Sequence, residues 1–141
     1  MKQAQRYSED EIRNNQVSYE RRDCQLNYLL QGNTKITLPN YKINLIWNEQ
    51  TQSRFIEYNL LGIPINPIFI NTELRIVTTS DIQKIGTFNK FVNNDLVLRN
   101  LSLLKSLEGY CFRDLIPVRQ RKILAINLKF IFLTNKCPII G

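Results

Sequence analysis

The order of apolar and turn-forming residues predicts an α/β fold, on three observations. Residues 38–74, LPNYKINLIWNEQTQSRFIEYNLLGIPINPIFINTEL, compress a strand, a capped helix, a proline-set turn and a second strand into one β-α-β start. Ile82, Ile85, Phe88 and Phe91 recur at the spacing of one helix face. Residues 126–133 alternate apolar positions as a strand does.

Taken in order, residues 1–16 read as a polar arm of the kind that frays at a terminus. Residues 19–31 read as a helix, with Ser18 as N-cap, Tyr19, Leu26, Leu29 and Leu30 as its apolar stripe, and Gly32 as terminator. A short extended segment is expected at 36–38. Leu45, Ile46 and Trp47 then lead into a helix over 49–61. Asn48 sits where its side chain meets the open amides of the first turn, and Glu49 follows with a carboxylate. Gly62 takes the left-handed position after the helix, and Pro64 prevents it from resuming.

The apolar, β-branched run at 67–70 marks a buried strand. Strands at 68–70 and 74–78, joined through Asn71 and Thr72, read as a hairpin. Ser80 or Asp81 is placed to cap a helix reaching about Val92, broken by Asn93, Asn94 and Asp95. Residues 96–98 form a short strand candidate, and Gly109 marks a turn. Asp114 is expected to cap a helix over 115–123 that tolerates Pro117 in its first turn. The strand at 126–133 ends the sheet.

One domain is expected of 141 residues, with a core that needs neither disulfides nor metal. The formal charge is +7, and residues 1–23 balance at five basic and five acidic, so the excess lies beyond them. From Phe112 onward six basic residues face Asp114 alone, a bias compatible with phosphate or nucleic acid and equally with a solvated surface. Cys24, Cys111 and Cys137 are far apart, which argues for buried or idle thiols in a reducing compartment. There is no histidine, so Ser-His, Cys-His and metal-histidine constellations are excluded. The glycine signature of a P-loop is absent, and the carboxylates are scattered. Apolar runs are too short to span a membrane and the first fifteen residues lack a secretory core, so a cytoplasmic location is expected. The sixteen asparagines match a bias toward AT-rich codons and carry no functional argument.

Pro39, Tyr41, Lys42-Ile43, Ile46-Trp47, the helix around Ser53-Arg54-Phe55-Ile56-Glu57 and Leu60-Leu61-Gly62-Ile63-Pro64-Ile65 fall in a fixed order. Phe88, Phe91, Val92-Asn93-Asn94, Leu107-Glu108-Gly109, Phe112, Asp114-Leu115 and Arg119-Gln120-Arg121-Lys122 continue it. In this order the chain resembles the N-terminal domain family of GmrSD-type, modification-dependent restriction endonucleases, over roughly residues 17–135. The resemblance implies a ParB/sulfiredoxin-like α/β fold, a small mixed sheet with packed helices. It also implies a division into an arm at 1–16 and the domain at 17–141, with the family's C-terminal continuation, which carries the nuclease, lacking here.

An intact member of that family would bind and hydrolyse nucleoside triphosphate with magnesium, to control DNA cleavage in defence against foreign DNA. Its site motif, Asp-Gly-(Gln/Ser)-Gln-Arg, corresponds here to Ser80-Asp81-Ile82-Gln83-Lys84, in which Gln83 alone is unchanged. A two-residue shift would instead let Asp81 stand for the acidic residue. Lys42-Ile43 replaces an earlier Gln-Arg. The candidate nucleotide residues are therefore Ser80, Asp81, Gln83, Lys84 and Lys42, in a degraded site. A helix N-terminus favours phosphate, Lys84 supplies a point charge and Gln83 a hydrogen bond, but lysine lacks the two-pronged grip of arginine. Against this stands the plainer reading of Ser80 or Asp81 as a helix cap.

Trp47 is read as core or as a base-stacking face. Arg119, Arg121 and Lys122 are read as a charged helix face or as contacts to a DNA backbone. The expected function is that of a restriction-system domain with a degraded nucleotide site, inactive alone and completed by a nuclease-bearing partner. The alternatives are a DNA-binding regulatory module and a scaffold without a site.

Overall fold

In the computed structural model, residues 2–14, 16–32, 46–71, 76–77 and 79–135 are described. The extended segment predicted at 36–38, Lys42, the turn at Thr72, Thr78, Cys137, Pro138 and Gly141 lie outside the described residues.

The best-specified local unit is α3, which follows α1 (Lys2–Asn14), β1 (Val17–Gln25) and α2 (Leu26–Gln31) and spans Glu49–Leu60. Asn48 caps it, its side chain accepting the Thr51 amide at 2.9 Å. Beyond its end, Gly62 stands at φ 84°. The chain then enters β2 (Ile68–Asn71), returns in β3 (Ile76–Val77) and forms α4 (Thr79–Val92). Ile85, Phe88 and Phe91 of α4 are fully buried, as their spacing predicts. An irregular stretch with two short 3₁₀ turns, Lys105–Leu107 and Phe112–Asp114, leads to α5 (Pro117–Leu124) and β4 (Asn127–Asn135).

The four strands form a mixed sheet in the order β1-β4-β2-β3. β1 runs antiparallel to β4 from Val17↔Asn135 to Gln25↔Asn127, and β2 runs parallel to β4 from Ile68↔Phe130 to Asn71↔Leu133. β3 pairs antiparallel with β2 as the predicted hairpin. The fold is thus α/β, a small mixed sheet with packed helices, as predicted. Ile68, Ile70, Leu128 and Phe130 of the sheet join Ile56 of α3, Phe88 and Phe91 of α4 and Leu96 and Leu98 beyond it in one core. Each such side chain contributes about 1.5–3 kcal/mol of burial. Phe55 links the layers, meeting Phe88 edge-on at 5.0 Å and Trp47 at 5.8 Å.

Four local expectations are corrected. The helix predicted over 19–31 is a strand as far as Gln25, and only Leu26–Gln31 is helical. Tyr19, read as part of an apolar stripe, is 74% exposed. What holds β1 is nine residues of pairing with β4, plus same-face pairs two residues apart, Arg22–Glu20 and Arg21–Asp23, each at 3.1 Å. Arg22 also lies 5.1 Å from the ring centre of Phe132 on β4. Hydrogen bonds from Arg21 and then Asn127 hold the Asp23 carboxyl below its ordinary value.

Residues 2–14, read as part of a polar arm, form helix α1, with described side chains that are all exposed. Residues 96–98 form no strand: Leu98 alone exchanges hydrogen bonds, with Tyr110 O at 2.9 Å and Gly109 N at 2.8 Å. Asp114 does not cap α5, whose N-cap is Ile116. Its Oδ2 instead accepts the Cys111 amide at 2.8 Å and closes the 3₁₀ turn. The entry into α5 is tied from the other side, by Gln120 Nε2 donating to the carbonyls of Leu115, Phe112 and Arg113 at 2.9, 3.2 and 3.3 Å.

Candidate functional site

The helix that carries Ser80, Asp81, Gln83 and Lys84 begins at Thr79, so Ser80 and Asp81 lie within its first turn and neither is the cap. An acidic residue there suits the positive end of the helix. Asp81 is buried, and Lys84 Nζ stands 3.6 Å from its Oδ1 on the next turn. Gln83 is 1% exposed, and its Oε1 accepts the amides of Ile46 at 2.8 Å and Trp47 at 3.0 Å. The side chain therefore fastens the approach to α3 onto α4 and holds the Trp47 backbone beside the start of α4. Asp81 and Lys84 come together, whereas the Gln83 oxygen is given to the backbone of Ile46 and Trp47; Lys42 lies outside the described residues.

Lys84 lines a hollow of about 110 Å³ with Phe55, Tyr58, Asn59 and the turn Ile63–Asn66. Phe55 and Tyr58 also line a second hollow of about 290 Å³, together with Trp47, Thr51 and Arg54. Two aromatic side chains are thus common to two depressions, each with one cation in its lining. Aromatic faces accept the flat surface of a base, and cations accept phosphate. Thr51, Arg54, Phe55 and Tyr58 were missed in the sequence, although their spacing of three, four and seven places them on one face of α3.

The basic run near the C-terminal end is divided by the fold. Arg121 and Lys122 are exposed on α5, whereas Arg119 is half-buried. Arg119 lines a separate cavity of about 400 Å³ with Leu60, Leu104, Leu107, Tyr110 and Leu115. Gln120, between them, is committed to the backbone.

Glu57 is a second, fully buried carboxylate. Its Oε2 accepts the amides of Leu103 and Leu104, each at 2.9 Å, and its Oε1 that of Ser102 at 3.1 Å. Burial pushes the carboxyl up, but these three amides and the Arg54 charge together outweigh it and hold the group below its ordinary value. Its role is to order the loop rather than to exchange protons. Cys24 and Cys111 are buried free thiols, and among the described residues no cluster of acidic or thiol groups could hold a metal ion. No helix among them is long and apolar enough to cross a membrane.

Comparison with family models, with curated proteins and with solved structures returns no match for this chain.

Proposed function

We propose that this chain is a nucleotide-binding domain of the GmrSD-like N-terminal kind, with a degraded site that binds without hydrolysing. The observation that carries this reading is that Phe55 and Tyr58 line two neighbouring hollows, one with Lys84 in its lining and the other with Arg54. A base would lie against Trp47, Phe55 or Tyr58, and the phosphates would meet Lys84. Two features count toward binding without turnover. Asp81 is already engaged with Lys84, and the Gln83 oxygen is held by two backbone amides. With Asp81 so engaged, the residues present do not make a magnesium site, and magnesium enters only as the counterion of the triphosphate.

Calorimetry with ATP, GTP, CTP and UTP in the presence of magnesium tests the reading. Micromolar binding of one of them without phosphate release is expected, weakened about tenfold in Lys84→Gln by loss of a charge-assisted contact. No heat with any of the four overturns binding; phosphate release that vanishes in Lys84→Gln overturns inactivity.

A second reading, a DNA-binding regulatory module, is favoured by the exposure of Arg121 and Lys122, which form no ion pair among the described residues. It requires duplex binding that falls steeply with salt and weakens in the Arg121→Gln, Lys122→Gln double variant. A nuclease-bearing protein partner would complete either reading, since neither assigns cleavage to this chain.

A further inference from the structure

We infer that the cavity beside Arg119 is a binding site for a small organic monocarboxylate with an apolar body, distinct from the nucleotide hollows. Its volume of about 400 Å³ lies in the range of small-molecule pockets. Leu60, Leu104, Leu107 and Leu115 give it an apolar floor, and Arg119 and Tyr110 supply hydrogen-bonding groups. Arg119 forms no ion pair among the described residues, although Asp114 lines the same cavity. Asp114 is turned to the Cys111 amide instead. A half-buried arginine beside apolar walls matches a carboxylate, which a guanidinium grips with two parallel hydrogen bonds.

The walls are set before any ligand arrives. The Leu104 amide is fixed by Glu57 at 2.9 Å, and the Leu115 carbonyl by Gln120 at 2.9 Å. A preformed site loses less on binding than one that must be ordered. Arg119 offers one fixed positive charge, which matches one carboxylate, while the Asp114 carboxyl in the same lining disfavours a dianion such as phosphate.

Octanoate, octanol and octylamine are the probes, titrated into the full ¹⁵N-labelled chain and followed by amide shifts. Octanoate should give saturable shifts centred on residues 104–110 and 115–119, with binding about tenfold tighter than octanol, and octylamine should give none. Arg119→Gln should bring octanoate down to the level of octanol. Ser106→Trp, at an exposed wall position, should block both while leaving the circular dichroism unchanged. Equal affinity for octanoate and octanol, indifference to Arg119→Gln, or unsaturable shifts spread over the surface overturns the inference. ATP should not displace octanoate, which separates failure here from failure of the nucleotide site.

Discussion

Glu57 and Leu104 are joined by a hydrogen bond of 2.9 Å across 47 residues of sequence, from a buried carboxylate on α3 to a backbone amide in an irregular loop. The same arrangement recurs around that loop. Glu108 accepts the amides of Asn100 and Leu101, Ser53 Oγ that of Arg99, and Asn94 Oδ1 that of Arg113. Residues 95–116 lack regular pairing, and side chains supply the acceptors that a sheet or helix would otherwise provide.

Replacing Glu57 by Gln keeps the shape but removes the charge and one acceptor, and turns an amide donor toward backbone amides. A loss of about 3 kcal/mol is expected, from the weight of hydrogen bonds to charged groups and the cost of unsatisfied buried donors. Urea unfolding measures it. A loss below about 1 kcal/mol would mean that water replaces the carboxylate.

The same carboxyl makes stability depend on pH. Its value in the fold lies below the ordinary 4.5, so the unfolded chain takes up a proton first as acid is added. The stabilisation is complete above that ordinary value and is lost as pH falls through the lower folded one. Urea midpoints measured from neutral pH downward should fall in this acid window, and Glu57→Gln should flatten that part of the fall.

Gln83→Leu strands the amides of Ile46 and Trp47, at a cost of about 2 kcal/mol. Gln83→Glu retains the acceptor and should lose less. Trp47 reports on both, because release of its backbone exposes a half-buried ring and moves its fluorescence to the red.

Gly62→Ala should cost about 1 kcal/mol, the penalty of a left-handed conformation. Space is not the cause, since an added Cβ meets nothing within 4 Å at φ 84°. Gly62→Asn should recover part of the loss, as asparagine enters that region more readily. Thermal unfolding of the three proteins ranks them.

The parts of the fold that were legible in the sequence are those whose cause is local. Asn48 caps three residues ahead, Gly62 ends a helix beside it, and Phe88 and Phe91 share a face through spacing alone. The parts that were not depend on distant partners. Val17–Gln25 is a strand because β4 runs beside it, and its own residues, charged on both sides, give no alternation to read. Gln83 was visible as a polar motif residue, but its partners lie 36 and 37 residues earlier. The face of α3 carrying Arg54 and Tyr58 was readable by period. What sequence did not supply was the turn Ile63–Asn66 that brings Lys84 into the same neighbourhood.

The position of β4 has a consequence for biosynthesis. It is the last strand among the described residues yet lies between β1 and β2, and the Asp23–Asn127 contact spans 104 residues. As the chain leaves the ribosome, β1 emerges early and waits for this partner until nearly all of the described chain has been made. A long unpaired strand invites association with neighbouring chains during such a delay. The run of four charged residues Glu20, Arg21, Arg22 and Asp23, which lie outside the core, disfavours such association while β1 is unpaired.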